Sequence, residues 1–258
     1  MAKKWAAFPH PDKAFARDAA GVKKAWARLH KSDCEPLPKD AAVLDAWRHY
    51  HAGEFADAVS AGRKAGGAGI NAAVKAQMIY ANYLEKSDAA KLTLLEEAAG
   101  WADARRSEAP KDANAHYLYA YALGRYSQGI SITKALAQGF GGKIKEALTT
   151  ALKLEAKHAD AHTAFGSYQA EIIDKVGGIV AGMTYGAKKD SALEHYQKAM
   201  KLNPDSAIAR IEYANGLIML FGKARMAEAE KLYQEAAECT PADAMERLDV
   251  ELAKSELE

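Results

Sequence analysis

Residues 191–217 read SALEHYQKAMKLNPDSAIARIEYANGL, and their spacing sets the fold class. Ala192, Tyr196, Ala199 and Pro204 follow one another at intervals of four, three and five. Small residues let two helices approach closely, the aromatic ring fills the gap beside them, and the proline stops the helix before a turn. Tyr213, Ala214 and Leu217 then lie on the next helix. The stretch is the second half of one helical hairpin followed by the first half of another.

Outward from there, an aromatic–small pair recurs at Tyr80, Tyr119, Phe165 and Tyr213, at separations of 39, 46 and 48. Residues 39–69 make a first hairpin, with Ala46 and Trp47 on its first (A) helix, Gly53 ending it, and Phe55 and Ala58 opening its second (B) helix. Residues 71–107 make another, with Ser87 as the N-cap of its B helix and Pro110 closing the pair. The third pairs Tyr119–Leu123 with a B helix carrying Ile144, Leu148 and Ala151; the fourth pairs Phe165–Tyr168 with Asp190–Leu202. The fifth pairs Tyr213–Leu217 with Ala229, Tyr233 and Ala236, and Pro241 ends it. No alternating run is long enough, or bounded by the right turns, to be a strand.

The fold expected is all-α: a right-handed α-solenoid of about five helical hairpins with a capping helix at each end. An open array end exposes core, so it needs a cap. Phe15, Ala19, Val22, Trp26 and Leu29 make one stripe and predict a helix over 12–31, ended by Pro36 and Pro38. Met245, Leu248 and Leu252 predict the last helix, from about Asp243 to Lys254. The chain thus divides into a basic arm and cap (1–38), the array (39–241), and a C-terminal cap with an acidic tail (242–258).

A net charge of +1 gives no overall reason to expect nucleic acid, and basic residues do not line a face with aromatics. The ends differ, however. Lys3, Lys4, Lys13, Arg17, Lys23, Lys24, Arg28 and Lys31 face only Asp12 and Asp18 at the start. Asp243, Glu246, Asp249, Glu251, Glu256 and Glu258 face Arg247 and Lys254 at the finish. Two solvated capping faces account for this; end-to-end self-association, or attraction of the head to an anionic surface, is the sharper alternative. Cys34 and Cys239 are far apart and without metal spacing, which fits a reducing compartment. The start is not a signal peptide, and no run is long and apolar enough to span a bilayer. A cytoplasmic protein is expected.

His158 and His162 stand four apart around Asp160, but no third metal ligand accompanies them, and a structural role is expected. His49 and His51, two apart, point to different helix faces. There is no defensible Ser/His/Asp order and no activated-cysteine context. No catalysis, cofactor or metal is expected.

Two glycine-rich, apolar insertions join A to B helices: YSQGISITKALAQGFGG (126–142) and one over 172–188 that contains IIDKVGGIVAGMTYG. Gly178, Gly182 and Gly186 stand four apart, a spacing that gathers small residues on one helical face. Either the insertions extend the A helices and pack as private core, or they fold over the groove. The second arrangement makes a pocket for a lipid-like apolar molecule, with Phe140, Ile179, Met183 and Tyr185 as lining residues.

Across about 39–241 these hairpins resemble tetratricopeptide (TPR) repeats, in which the A-x3-F…A…P half alternates with L-G-x2-Y. The stretch from about 128 to 254 is similar to the repeat domain of the regulator of microtubule dynamics family. Gly129-Ile130, Gly139-Phe140, Lys145 to Leu148, His162 with Gly166, and Ala192-Leu193 with Tyr196 carry that likeness. Members of that family with a membrane anchor bind tubulin or lipids and tether organelles; no stretch here is long and apolar enough to be one. The TPR resemblance implies binding of a peptide or protein on a concave face lined by A helices. The groove positions are then Lys75, Met78, Asn82 and Lys86; Asn114, Tyr117, Tyr121 and Arg125; Asp160, Thr163, Ser167 and Glu171; and Ile208, Ile211, Asn215 and Met219. Met78 and Ile211 stand where a chaperone-tail carboxylate clamp needs lysine, so that ligand is not expected. Tyr117 and Tyr121 lie four apart with Arg125 a turn on, which suits a peptide backbone and an acidic or aromatic side chain; core or edge packing is the competing reading of the pair. The expected partner contacts are Asn82, Tyr117, Tyr121, Arg125, Ser167, Glu171 and Asn215. The function expected is a protein-binding scaffold or adaptor, with a carrier of an apolar small molecule as the alternative.

Overall fold

The computed structural model describes residues 5–258, and among these residues every regular element is helical. The helices are α1 (Ala19–Leu29), α2 (Ala41–Ala52), α3 (Phe55–Ala65), α4 (Gly69–Ile79), α5 (Asp88–Glu108), α6 (Ala113–Gln128) and α7 (Ile132–Ala137). They continue as α8 (Phe140–Leu154), α9 (Ala159–Val176), α10 (Gly178–Val180), α11 (Lys189–Leu202), α12 (Ala207–Phe221), α13 (Met226–Ala237) and α14 (Ala244–Ser255). Their starts follow local chemistry. The side chains of Asp40, Ser87, Asp112 and Ser206 each accept a backbone N–H of the first turn, at α2, α5, α6 and α12. Each such cap contributes about 1 kcal/mol.

The chain divides into two compact units. One holds the residues through His30, Glu35–Ser131 and Ala242–Met245; the other holds Lys31–Cys34, Ile132–Pro241 and Glu246–Glu258. In the first, α2 packs on α3, α3 on α4, α4 on α5 and α5 on α6, and the A helices α2, α4 and α6 touch in succession. In the second, α8 packs on α9, α9 on α11 and α12 on α13, and the A helices α9 and α12 lie against each other. The first, second, fourth and fifth expected hairpins are each found within one unit. The third has α6 in one unit and α8 in the other.

The N-terminal helix is shorter than the 12–31 that its apolar stripe predicts. Residues 12–18 lie outside the helix, where two aspartates bond nearby backbone: Asp12 accepts from the N–H of Ala14 at 2.8 Å and Asp18 from that of Gly21 at 2.7 Å. The helix therefore begins at Ala19. Phe15 is buried nonetheless, 6.5 Å from Phe8. The cap packs as expected, with the Trp26 ring edge-on to Trp47 at 6.3 Å and its indole N–H on the carbonyl of Glu35 at 2.8 Å. Trp5 stacks on Tyr80 at 3.9 Å, so Tyr80 holds the N-terminal arm as well as filling the repeat. Of the basic head, Lys3 and Lys4 lie outside the described residues. Two of the counted end charges are used within the first unit: Arg17 donates to the carbonyl of Ala242, and Asp243 accepts from buried His51 at 2.6 Å.

The insertions lengthen their A helices. α6 runs to Gln128 before α7, and α9 runs to Val176 before α10 and a π-helical turn over Ala181–Tyr185. The second insertion is pinned at its return, where Gln169 accepts from the backbone N–H of Lys188 at 3.2 Å. Its Tyr185 lies so close to Gly141 that a Cβ there would sit 2.8 Å from the ring. Lys145 Nζ donates to the Tyr185 carbonyl at 2.6 Å.

The core of the second unit is organised by Tyr196, which is 1% exposed. Its ring lies between Gly166 of α9 and Gly216 of α12; a Cβ on Gly166 would meet it at 2.9 Å and one on Gly216 at 2.5 Å. It also stacks on Tyr213 at 5.1 Å. Gly216→Ala gains up to about 1 kcal/mol of helix propensity. The clash outweighs that gain, because the ring has no free space into which to withdraw. We expect a net loss of about 1–3 kcal/mol in urea unfolding. Tyr196→Phe loses about 1 kcal/mol through its hydroxyl bond; unchanged midpoints for both variants would contradict this packing.

Candidate functional site

Four of the expected contact residues meet in the first unit. Asn82, in a π-helical turn (Tyr80–Leu84) that continues α4, donates its amide N–H to the Tyr121 hydroxyl of α6 at 3.1 Å. Tyr121 stacks nearly parallel on Tyr117, with centroids 5.9 Å apart and planes at 11°. The Arg125 guanidinium lies 5.4 Å from the Tyr121 ring and donates to Gln128. Tyr117 is buried and Tyr121 half-buried. Tyr117 thus braces Tyr121 from one side and Asn82 fixes its hydroxyl. The result is a rigid aromatic edge with a cation at its end, a combination that favours apolar or aromatic groups beside an anion.

Ser167, Glu171 and Asn215 fall in the second unit. Tyr196 donates to the Ser167 hydroxyl at 3.1 Å, and Ser167 donates to Glu212 at 2.8 Å. Asn215 accepts from the Tyr233 hydroxyl, whose pKa is pushed up to about 12 by burial and then by Glu256 and Glu212. Glu171 is half-buried, one turn beyond Ser167 on α9. Of the seven expected contacts, four therefore fall in the first unit and three in the second.

Several other groove positions are core. Lys75, Met78, Asn114, Thr163 and Ile211 are buried, because neighbouring A helices approach closely along that side. Asn114 donates to buried Glu35 at 2.7 Å, and Asn71 donates to the same carboxylate at 3.3 Å. The sequence reading missed Glu35 and Glu212. The only signal available for Glu35 was a pair of asparagines near the starts of α4 and α6. Of the insertion residues, Phe140 is buried and Tyr185 half-buried against Gly141, whereas Ile179 and Met183 project into solvent, 80% and 85% exposed.

The histidines pair differently from their spacing. His158 is fully buried and caps α9, its Nδ1 accepting from the N–H of Ala161 at 3.0 Å. His162 instead meets His195 of α11, Nδ1 to Nδ1 at 2.8 Å, and its Nε2–H donates to the Ala156 carbonyl at 3.2 Å. Burial lowers the pKa of both; His195 falls to about 4, helped by His162 and Lys198. Both rings are therefore neutral at pH 7.

These elements define an all-α protein built of TPR-like helical hairpins. The chain belongs to the family described as regulator of microtubule dynamics protein 1-3, which matches residues 72–257. That match starts well upstream of residue 128 and takes in the second hairpin. Among solved structures, the chain is similar to a thermophilic TPR protein of Thermus thermophilus, at 16% identity and a TM-score of 0.56 over 83% of this chain and 97% of that one. No curated protein sequence matches the chain. Among the described residues, no helix is long and apolar enough to cross a membrane.

The depressed pKa of His195 has a pH signature. Between the usual imidazole value of 6.5 and about 4, the unfolded chain binds a proton that the folded ring refuses. Stability is therefore full above that window and falls as pH drops through it. His195→Gln should flatten the fall relative to wild type in urea titrations at pH 7, 6, 5 and 4; parallel curves would contradict the burial of the pair.

Proposed function

We propose that this protein is a non-catalytic scaffold or adaptor that holds a partner peptide or protein segment against its A helices, with Tyr121 and Arg125 as the principal contacts. The observation that carries this is the braced stack of Asn82, Tyr117, Tyr121 and Arg125 on α4 and α6. Tyr117 supports the contact surface from beneath. Ser167, Glu171 and Asn215 supply a second, polar patch in the other unit. Side chains already held in place lose little entropy on binding, so the bound segment carries most of the ordering cost. Cys34 and Cys239 are not joined in a disulfide, which fits a reducing compartment such as the cytoplasm.

The Tyr121→Ala, Arg125→Ala double variant should lose a co-purifying partner, with binding weakened by about 2 kcal/mol or more. Its helicity and melting should stay close to wild type. A retained partner would sink the assignment, and loss of folding would make the pair core. The second reading is a carrier of a lipid-like molecule, favoured by the apolar, solvent-facing Ile179 and Met183 on a glycine-rich segment. It requires these residues to fold inward over a ligand. Native mass spectrometry of protein purified from cells should then show a retained apolar molecule, and a clean apo mass counts against it.

A further inference from the structure

We propose that His162 and His195 form a binding site for a late first-row transition-metal ion of the Zn2+ or Ni2+ type. The two side chains come from α9 and α11, helices held together around buried Tyr196, the neighbour of His195. Their Nδ1 atoms face each other at 2.8 Å. The His162 Nε2–H on the Ala156 carbonyl fixes that ring and its tautomer, the arrangement by which proteins orient metal-binding imidazoles. The ring of Phe165, 4.6 Å from that of His195, holds the second ligand.

Without metal, His195 Nδ1–H donates to His162 Nδ1. To bind an ion through both Nδ1 atoms, His195 moves its proton to Nε2, so no net proton is released at neutral pH. Two imidazole nitrogens at roughly 2.0–2.1 Å from a tetrahedral ion stand about 3.3 Å apart. The pair must open slightly, and half-buried His195 can supply that by a small ring rotation. Burial supports the site by keeping both rings unprotonated. Lys198 faces both and weakens the attraction for a cation. Two neutral nitrogen ligands, with water in the open positions, select a late transition metal over Mg2+ or Ca2+, which require oxygen.

The three-residue group His49, Glu54 and Asp57 is a poorer candidate despite its ligand count. Arg48 donates to His49 Nε2 at 2.9 Å, and Glu54 already holds His49 Nδ1. A cation there would have to displace both and sit beside a guanidinium.

Metal-free protein titrated with Zn2+ and with Ni2+ in a calorimeter should bind one ion, with no response to Mg2+ or Ca2+. His195→Gln and His162→Asn should each weaken binding at least roughly tenfold, while His49→Gln leaves it unchanged. In nitrogen-labelled wild type, both Nδ1 resonances should shift together on adding Zn2+, a readout that stands even if a variant fails to fold. Absence of binding, equal binding by His195→Gln, loss in His49→Gln, or shifts confined to other histidines would each overturn the site.

Discussion

The ring of Tyr196, pressed between the bare backbones of Gly166 and Gly216, is the contact on which the second unit depends. Three helices meet at that point: α9, α11 and α12. Ring atoms occupy the space where a Cβ would stand on either neighbour, so the interhelical distances follow from one aromatic and two glycines. The hydroxyl at the ring's edge then finds Ser167, and Ser167 finds Glu212. Packing and polar satisfaction thus share one residue.

The first unit solves a different problem, that of an array end. Its buried surface includes charged and titratable groups that pair with segments distant in sequence. Glu35 is satisfied by Asn71 and Asn114, and His51 by Asp243 and His30. Aromatic rings of Trp26, Trp47 and Tyr50 enclose the two histidines. A buried charge is costly unless paired and hydrogen-bonded, so these contacts specify which segment closes the end. Of these residues, Asp243 read from the sequence only as part of a charge imbalance, because a count of charges carries no information about pairing.

The hairpins were legible because they depend on near neighbours in the chain. An aromatic and two small residues at helical spacing, with a cap or proline at the boundary, suffice to place a helix and the face it buries. The misplaced start of the first helix has an equally local cause: Asp12 and Asp18 compete for backbone N–H groups that an apolar stripe alone assigns to helix. In the candidate site, the stacking of Tyr117 on Tyr121 could be read from their four-residue spacing. The bracing by Asn82 could not be, since 39 residues separate it from the hydroxyl that it binds.

By itself, then, the sequence determined the helical class, the succession of hairpins and many of the residues that fill each local core. These rest on periodicity and on steric rules that act within a few turns. The tertiary structure alone decided which groove positions are closed by neighbouring helices, that Ile179 and Met183 face outward, and that His162 meets His195 rather than His158. Each of those outcomes is set by the packing angle and rotation of one helix against another. Those quantities arise from many side chains acting together, and no single spacing encodes them.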